Sequence, residues 1–201
     1  TKKIIFIDNS DYDISYFRQA AKNSDKEIEF FSNNLNNSYD KKLGKGYGQY
    51  LCLKEIFEKS TIAKKTDFFF NVTGRHCIKN FDEIIKDFSK SDCQIYINLS
   101  NNLKYCNTTN FGGSKKFFLD YLLPETKNTD ESKNIIFEHK VASAVLKAVS
   151  DNLILSNIPI YADIEGYIGT NGKKYKQNLF KKIKLFFFRK LKNYFFNHKK
   201  Y

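Results

Sequence analysis

Short runs of β-branched and aromatic residues alternate with segments of helical spacing along most of the chain, and this alternation limits the folds open to it. The opening KKIIFID carries an apolar run at 4–7 and stops in the turn formers Asp8, Asn9 and Ser10. A helix is expected over 14–23 and a strand over 27–31. After the polar loop SNNLNNSYDKKLGKGYGQ, Leu51, Leu53, Ile56 and Phe57 recur at helical spacing, which predicts a helix from near Gln49 to about Ser60. Strands are expected at 68–72 and 93–99, with a helix at 81–89 between them. NTTNFGGSKKFFLDYLL reads as a Gly-Gly turn leading into a helix, and 136–150 as a long helix. NLILSNIPIYADIEGYIG reads as one or two strands, with Pro159 favouring an edge. The order predicts βαβ units, hence a mostly parallel central sheet in a single α/β domain over 1–172.

Charge divides the chain differently. Residues 173–201 hold ten lysines, Arg189 and no acid; removing those eleven from the 34 basic residues leaves 23 against 22 acidic ones. The net charge of +12 therefore belongs to the tail and not to the body. Within the tail Phe180, Ile183, Phe187, Leu191 and Tyr194 fall on one helical face, flanked by Lys181, Lys182, Lys184, Arg189 and Lys192. A basic amphipathic helix with bulky aromatics suits an anionic membrane surface. The same face also suits docking on the body. Nucleic acid is not the expected partner, because the aromatics group on an apolar face and no basic patch stands out in the body. No apolar run is long enough for a membrane span, and the start leads into a strand with no signal-peptide pattern. Cys52, Cys77, Cys93 and Cys106 match no zinc spacing and read as reduced cytoplasmic thiols. The expected location is cytoplasmic, peripheral on the inner face of the cell membrane.

Three segments carry candidate chemistry. In LGKGYGQ, Gly44, Gly46 and Gly48 surround Lys45 at the entry to a helix, where backbone amides and the helix dipole favour a phosphate. It is neither a Walker loop nor a dinucleotide fingerprint, and it also suits a flexible connection. Thr73-Gly74-Arg75 ends the strand at 68–72, where an open α/β sheet places its ligand crevice. A guanidinium there can hold a phosphate or carboxylate in bidentate fashion, although an ordinary turn with an exposed arginine has the same sequence. Glu138 and His139 open the helix whose apolar face carries Val141, Val145, Ala148 and Val149. Glu138 can compensate the helix dipole or serve as a general base, with Asp130 and Glu131 as alternatives.

The succession of Asp8-Asn9-Ser10 after a first strand, GKGYGQ entering a helix, and a DFFF strand resembles nucleotide-sugar glycosyltransferases of the GT-A fold. KGYG, TGR and the acid before a helix are similar to bacterial capsule and lipopolysaccharide enzymes, over roughly residues 3–150. The resemblance implies a single GT-A-like, Rossmann-like domain that moves a sugar from a nucleotide donor to a cell-surface glycan or lipid-linked acceptor. Donor binding would fall to Asp8, Asn9, Lys45, Gly46, Gly48, Thr73 and Gly74. The acceptor would meet Asn110, Gly112 and His139, and Glu138 would deprotonate its hydroxyl, giving inversion. The family places a metal-binding Asp-x-Asp where this chain has Thr73-Gly74-Arg75. An arginine cannot ligate a cation, so Arg75 is expected to supply the positive charge itself, with no metal and no cofactor.

Overall fold

The computed structural model of the chain describes residues 3–74 and 76–166, together with 183, 184, 186–188 and 191. In chain order the elements are β1 (Lys3–Asp8), α1 (Ser15–Ala21), β2 (Glu27–Ser32), α2 (Lys45–Lys59), α3 (Thr61–Lys64), β3 (Phe68–Val72), β4 (His76–Ile78), α4 (Phe81–Phe88) and β5 (Ile95–Leu99). There follow β6 (Cys106–Ser114), a π-helical stretch Phe117–Leu122 running into α5 (Leu123–Thr126), α6 (Phe137–Ser150), β7 (Leu155–Ser156) and β8 (Ile164–Gly166). They form two compact units. One comprises Thr1–Asp67 and Lys115–Ala144, the other Phe68–Ser114 and Val145–Tyr201.

In the first unit β1 and β2 pair in parallel, from Lys3 opposite Glu27 to Asp8 opposite Ser32. Phe6 joins Phe17 of α1 and Phe30 of β2, with ring centroids 4.9 and 5.7 Å apart. Helix α2 packs on β1 and α5 and buries Tyr50 and Leu53, while Phe57 meets Phe118 at 5.3 Å. Glu29 of β2 fixes the next helix. Its carboxylate accepts the amides of Thr61 at 3.0 Å and Ile62 at 3.1 Å as well as both hydroxyls of Ser60 and Thr61. Ser60 in turn caps α3, its Oγ accepting from the Ala63 amide at 2.9 Å.

The second unit carries a four-stranded sheet in the order β3-β6-β5-β7. β6 is antiparallel to both β3 and β5, whereas β5 and β7 are parallel. The class is mixed α/β, and the sheet is mixed rather than mostly parallel, which corrects that expectation. β5 and β6 are consecutive and joined by residues 100–105, too short for the crossover that parallel strands need, so they close as a hairpin. That hairpin inserts β6 between β3 and β5.

The expected Gly-Gly turn is likewise a strand. Gly112 lies between Phe70 on one side and Tyr96 on the other, and those two rings meet edge-on at 6.1 Å. A Cβ on Gly112 would come within 2.7 Å of Phe68 Cε1 and 3.0 Å of Phe70 Cε1. Glycine in this central strand therefore makes room for rings reaching across from β3. On the same face α4 closes the core, with Ile84, Cys93, Tyr96 and Ile158 buried and Phe68, Phe70, Phe81 and Phe88 packed against them. The Tyr96 hydroxyl donates to Asp87 Oδ2 at 2.6 Å. Burial, reinforced by that bond, pushes its pKa far up, so it stays a neutral donor.

Two further differences concern boundaries. Helix α2 begins at Lys45, four residues before the expected start. Strand β4 was not expected, whereas β7 and β8 fall in the segment expected to hold one or two strands, with Pro159 outside both. Among the described residues no helix is long and apolar enough to cross a membrane. Most of the tail at 173–201 lies outside the described residues.

Candidate functional site

Because β6 is antiparallel to both neighbours, β3, β5 and β7 all point the same way. Thr73 and Gly74 follow the end of β3, Ser100 the end of β5 and Asn157 the end of β7, while β6 starts among them with Asn107 and Thr108. This end of the sheet is lined by amides and hydroxyls, against a face of phenylalanines nearer the middle of β3. Thr73 is anchored to β6, its amide donating to the Thr109 carbonyl at 3.1 Å and its hydroxyl to the Thr108 carbonyl at 3.5 Å. The Thr109 amide donates to Asn107 Oδ1 at 3.0 Å.

Asn110 distinguishes this end. It stands opposite Val72, one residue from Thr73, and is only 5% exposed. Its Nδ2 is buried with no hydrogen-bond partner among the described residues, as is Nδ2 of Asn71 on the opposite face of β3. Buried amide donors nearly always have partners, so an orphan beside a strand-end turn points to a missing acceptor oxygen. Gly74 is exposed, and a Cβ there would meet nothing within 4 Å. Neither crowding nor a positive φ accounts for glycine at that position. Arg75, the charge expected to follow it, lies outside the described residues.

The expected donor residues of the first unit are occupied within their own unit. Asp8 accepts from the Ser10 amide at 3.0 Å, the Ser10 hydroxyl at 2.8 Å and the Tyr12 amide at 3.3 Å, a local turn after β1. Asn9 Nδ2 donates to Asn36 Oδ1 at 3.0 Å, and the Asn36 amide returns to the Asn9 carbonyl. At the start of α2 the Gly46 amide donates to Glu131 Oε1 at 2.9 Å, so a carboxylate of the chain itself sits where a phosphate was expected. The glycines fit this packing. Gly44 has φ of 84° and its Cβ position coincides with the Glu131 side chain. A Cβ on Gly46 would meet Phe137 and Thr129 within 2.9 Å, and one on Gly48 would meet the Tyr39 hydroxyl at 2.6 Å. Lys45 is exposed at the first position of the helix.

Glu138 is half-buried and His139 exposed in the first turn of α6, also in the first unit. The structure thus brings Thr73, Gly74 and Asn110 to one sheet end, and places Asp8 and Asn9 at the end of β1 and Lys45, Gly46 and Gly48 in the first turn of α2. Gly112 belongs to the second unit, where ring packing requires it. Asn71 was missed by sequence reasoning, and its only signal was an amide interrupting the apolar run FFFNV. Among the described residues no group of three or more His, Cys, Asp or Glu side chains is placed to hold a metal ion.

No family model and no curated protein matches the chain. A solved structure, "Crystal Structure of A197 from STIV", aligns over 89% of this chain and 95% of its own at 10% sequence identity, with a TM-score of 0.41.

Proposed function

We propose that the protein is a glycosyltransferase of GT-A type that moves a sugar from a nucleotide-sugar donor onto a cell-surface glycan or lipid-linked acceptor, with inversion and without a metal. The observation that carries the reading is the buried amide of Asn110, whose Nδ2 has no partner among the described residues, near Thr73 at the end of β3. A sugar hydroxyl or diphosphate oxygen would complete its hydrogen bonding, Gly74 leaves room for close approach, and Arg75 would meet the departing diphosphate's charge. Glu138 would take the acceptor hydroxyl's proton as that oxygen attacks the anomeric carbon and the bond to the diphosphate breaks. The enzyme would work at the inner face of the cell membrane.

A second reading is a nucleotide-binding protein without transferase activity, and the lack of the family's metal-binding aspartates at Thr73-Gly74-Arg75 favours it. Thermal-shift titration with nucleoside diphosphates and nucleotide sugars, with EDTA present, tests both. The transferase reading expects stabilisation by nucleotide sugars and release of free nucleotide once acceptor is added. Binding without release would support the second reading, and no binding would refute both.

A further inference from the structure

Strands β5 and β6 change register between Tyr96, which stands opposite Gly112, and Asn98, which stands opposite Asn107. Residues 108–111 of β6 therefore face Ile97 alone, an irregularity of the kind that re-aims side chains. Without it Asn98 would share the face of Tyr96; opposite Asn107 it turns to the other side of the sheet. Strand alternation puts Asn107 on one face with Thr109 and Phe111, and Phe111 stands opposite Asn71. Thr73 follows two residues after Asn71, its amide on the Thr109 carbonyl. Asn71, Thr73, Asn98, Asn107 and Thr109 are all half-buried, whereas Cys106, Thr108 and Asn110 on the other face are buried. Nδ2 of Asn71 is covered and has no partner among the described residues. The χ2 profile of asparagine is broad and two-fold, so a turn of this amide brings either Oδ1 or Nδ2 to the open side.

The loop between β5 and β6 adds an aromatic ring to this row. Ser100 donates its amide to the Tyr105 carbonyl at 2.8 Å and accepts the Tyr105 amide on Oγ at 3.0 Å. Its hydroxyl also donates to Asn102 Oδ1 at 2.7 Å, and the Leu103 amide closes the turn on the Ser100 carbonyl at 3.0 Å. Leu103 is held at a φ of 61°, an unfavourable value for a leucine and a mark of a loop built to a fixed shape. Tyr105 is 44% exposed although its backbone is tied to Ser100. It precedes Asn107 by two residues, so it lies on the same face about 7 Å away, and the row from Tyr105 to Thr109 runs about 13 Å.

A pyranose carries hydroxyls around its rim and C–H groups on its faces. Carboxamides and hydroxyls both donate and accept, as a rim of hydroxyls requires, and an aromatic ring packs on an apolar face. None of these side chains is charged, so they suit a sugar better than a phosphate, which draws cations. We propose that Tyr105, Asn98, Asn107, Thr109, Asn71 and Thr73 form a subsite for an uncharged sugar, with one face of the sugar on the tyrosine and its hydroxyls on the asparagines. The subsite does not depend on transfer, since a protein that only binds glycans would need it equally. Only the further step, that the sugar held there belongs to the acceptor, rests on the transferase reading.

Saturation-transfer NMR of the full chain tests the subsite. The probes are the methyl glycosides of glucose, galactose and N-acetylglucosamine, methyl glucuronide, uridine and adenosine. The neutral glycosides should bind, and more tightly than the glucuronide. Tyr105→Ala should weaken them about tenfold, while Tyr105→Phe, which keeps the ring, should stay within about twofold. Asn98→Ala should weaken them about fivefold through lost hydrogen bonds. No binding of any neutral glycoside, unchanged affinity in Tyr105→Ala, preference for the glucuronide, or tighter nucleoside binding that Tyr105→Ala abolishes would each overturn the proposal. Glycoside binding with no release of nucleotide from nucleotide sugars would refute the transferase reading alone. Transfer that survives Tyr105→Ala and Asn98→Ala unchanged would refute the subsite alone.

Discussion

Replacing Asn110 by leucine should make the protein more stable and less able to bind its ligand. The two side chains branch at the same carbon and leucine is the bulkier, so the exchange swaps a buried amide for an apolar group without opening a cavity and at some cost in crowding. Asn110 is 5% exposed and its Nδ2 has no partner among the described residues, so the unliganded protein bears the desolvation of an unsatisfied donor, about 1–3 kcal/mol. Val72 across the strand pair, and Phe70 with Gly112 beyond it, give leucine an apolar setting. Allowing for imperfect fit, Asn110→Leu should gain about 1–2 kcal/mol, and a chain of this size shifts its Tm by roughly 2–4 °C per kcal/mol. Differential scanning calorimetry with and without a nucleotide sugar reads both effects. The Tm without ligand should rise while the ligand-induced increment disappears, the signature of a site that trades stability for binding. A fall of more than about 1 kcal/mol would mean that the amide is hydrogen-bonded in solution, and a retained ligand increment would remove Asn110 from the site. Either result refutes the reasoning.

Arg75→Ala should lower turnover about a hundredfold without unfolding the protein, as expected for loss of one electrostatic stabiliser, and Glu138→Gln should abolish transfer while donor affinity is retained; steady-state kinetics and titration calorimetry check both. Gly112→Ala forces a methyl group against the rings of Phe68 and Phe70 and should cost about 1–3 kcal/mol in urea unfolding. Burial alone would raise the Glu29 carboxyl, but the Ser60 and Thr61 hydroxyls and the Ile62 and Thr61 amides outweigh it and hold it below the ordinary glutamate value of 4.5. Its stabilisation is therefore complete above that value and lost as pH falls through the lower folded one. Denaturation of wild type and Glu29→Gln should differ by about 1–2 kcal/mol at pH 7 and converge at acid pH. Glu131→Gln weakens the cap on the Gly46 amide and should cost about 0.5–1 kcal/mol of stability; if the start of α2 also binds donor phosphate, nucleotide affinity should rise, as titration calorimetry would show.

Local pattern was enough for the elements that declare themselves by their own residues. The apolar run FFFNV, bounded by Asp67 and by Thr73-Gly74, coincides with β3, and IIFI before Asp8-Asn9-Ser10 lies within β1. Helix α6 begins one residue from its expected start because its apolar spacing is uninterrupted. Charge could also be located by reading alone, since eleven basic residues without an acid are visible in any window over the tail. What escaped were elements defined by distant partners. Gly112 and Gly113 have turn chemistry, and only the rings of Phe68, Phe70 and Tyr96 across the neighbouring strands make them a strand. Gly44, Gly46 and Gly48 likewise look like a loop, yet a carboxylate 85 residues further along holds the Gly46 amide and starts a helix there. The mixed sheet arose from the same cause. Alternating strands and helices specify which segments exist, whereas the direction and order of their pairing depend on loop closure and cross-strand packing, which act between residues far apart in the sequence.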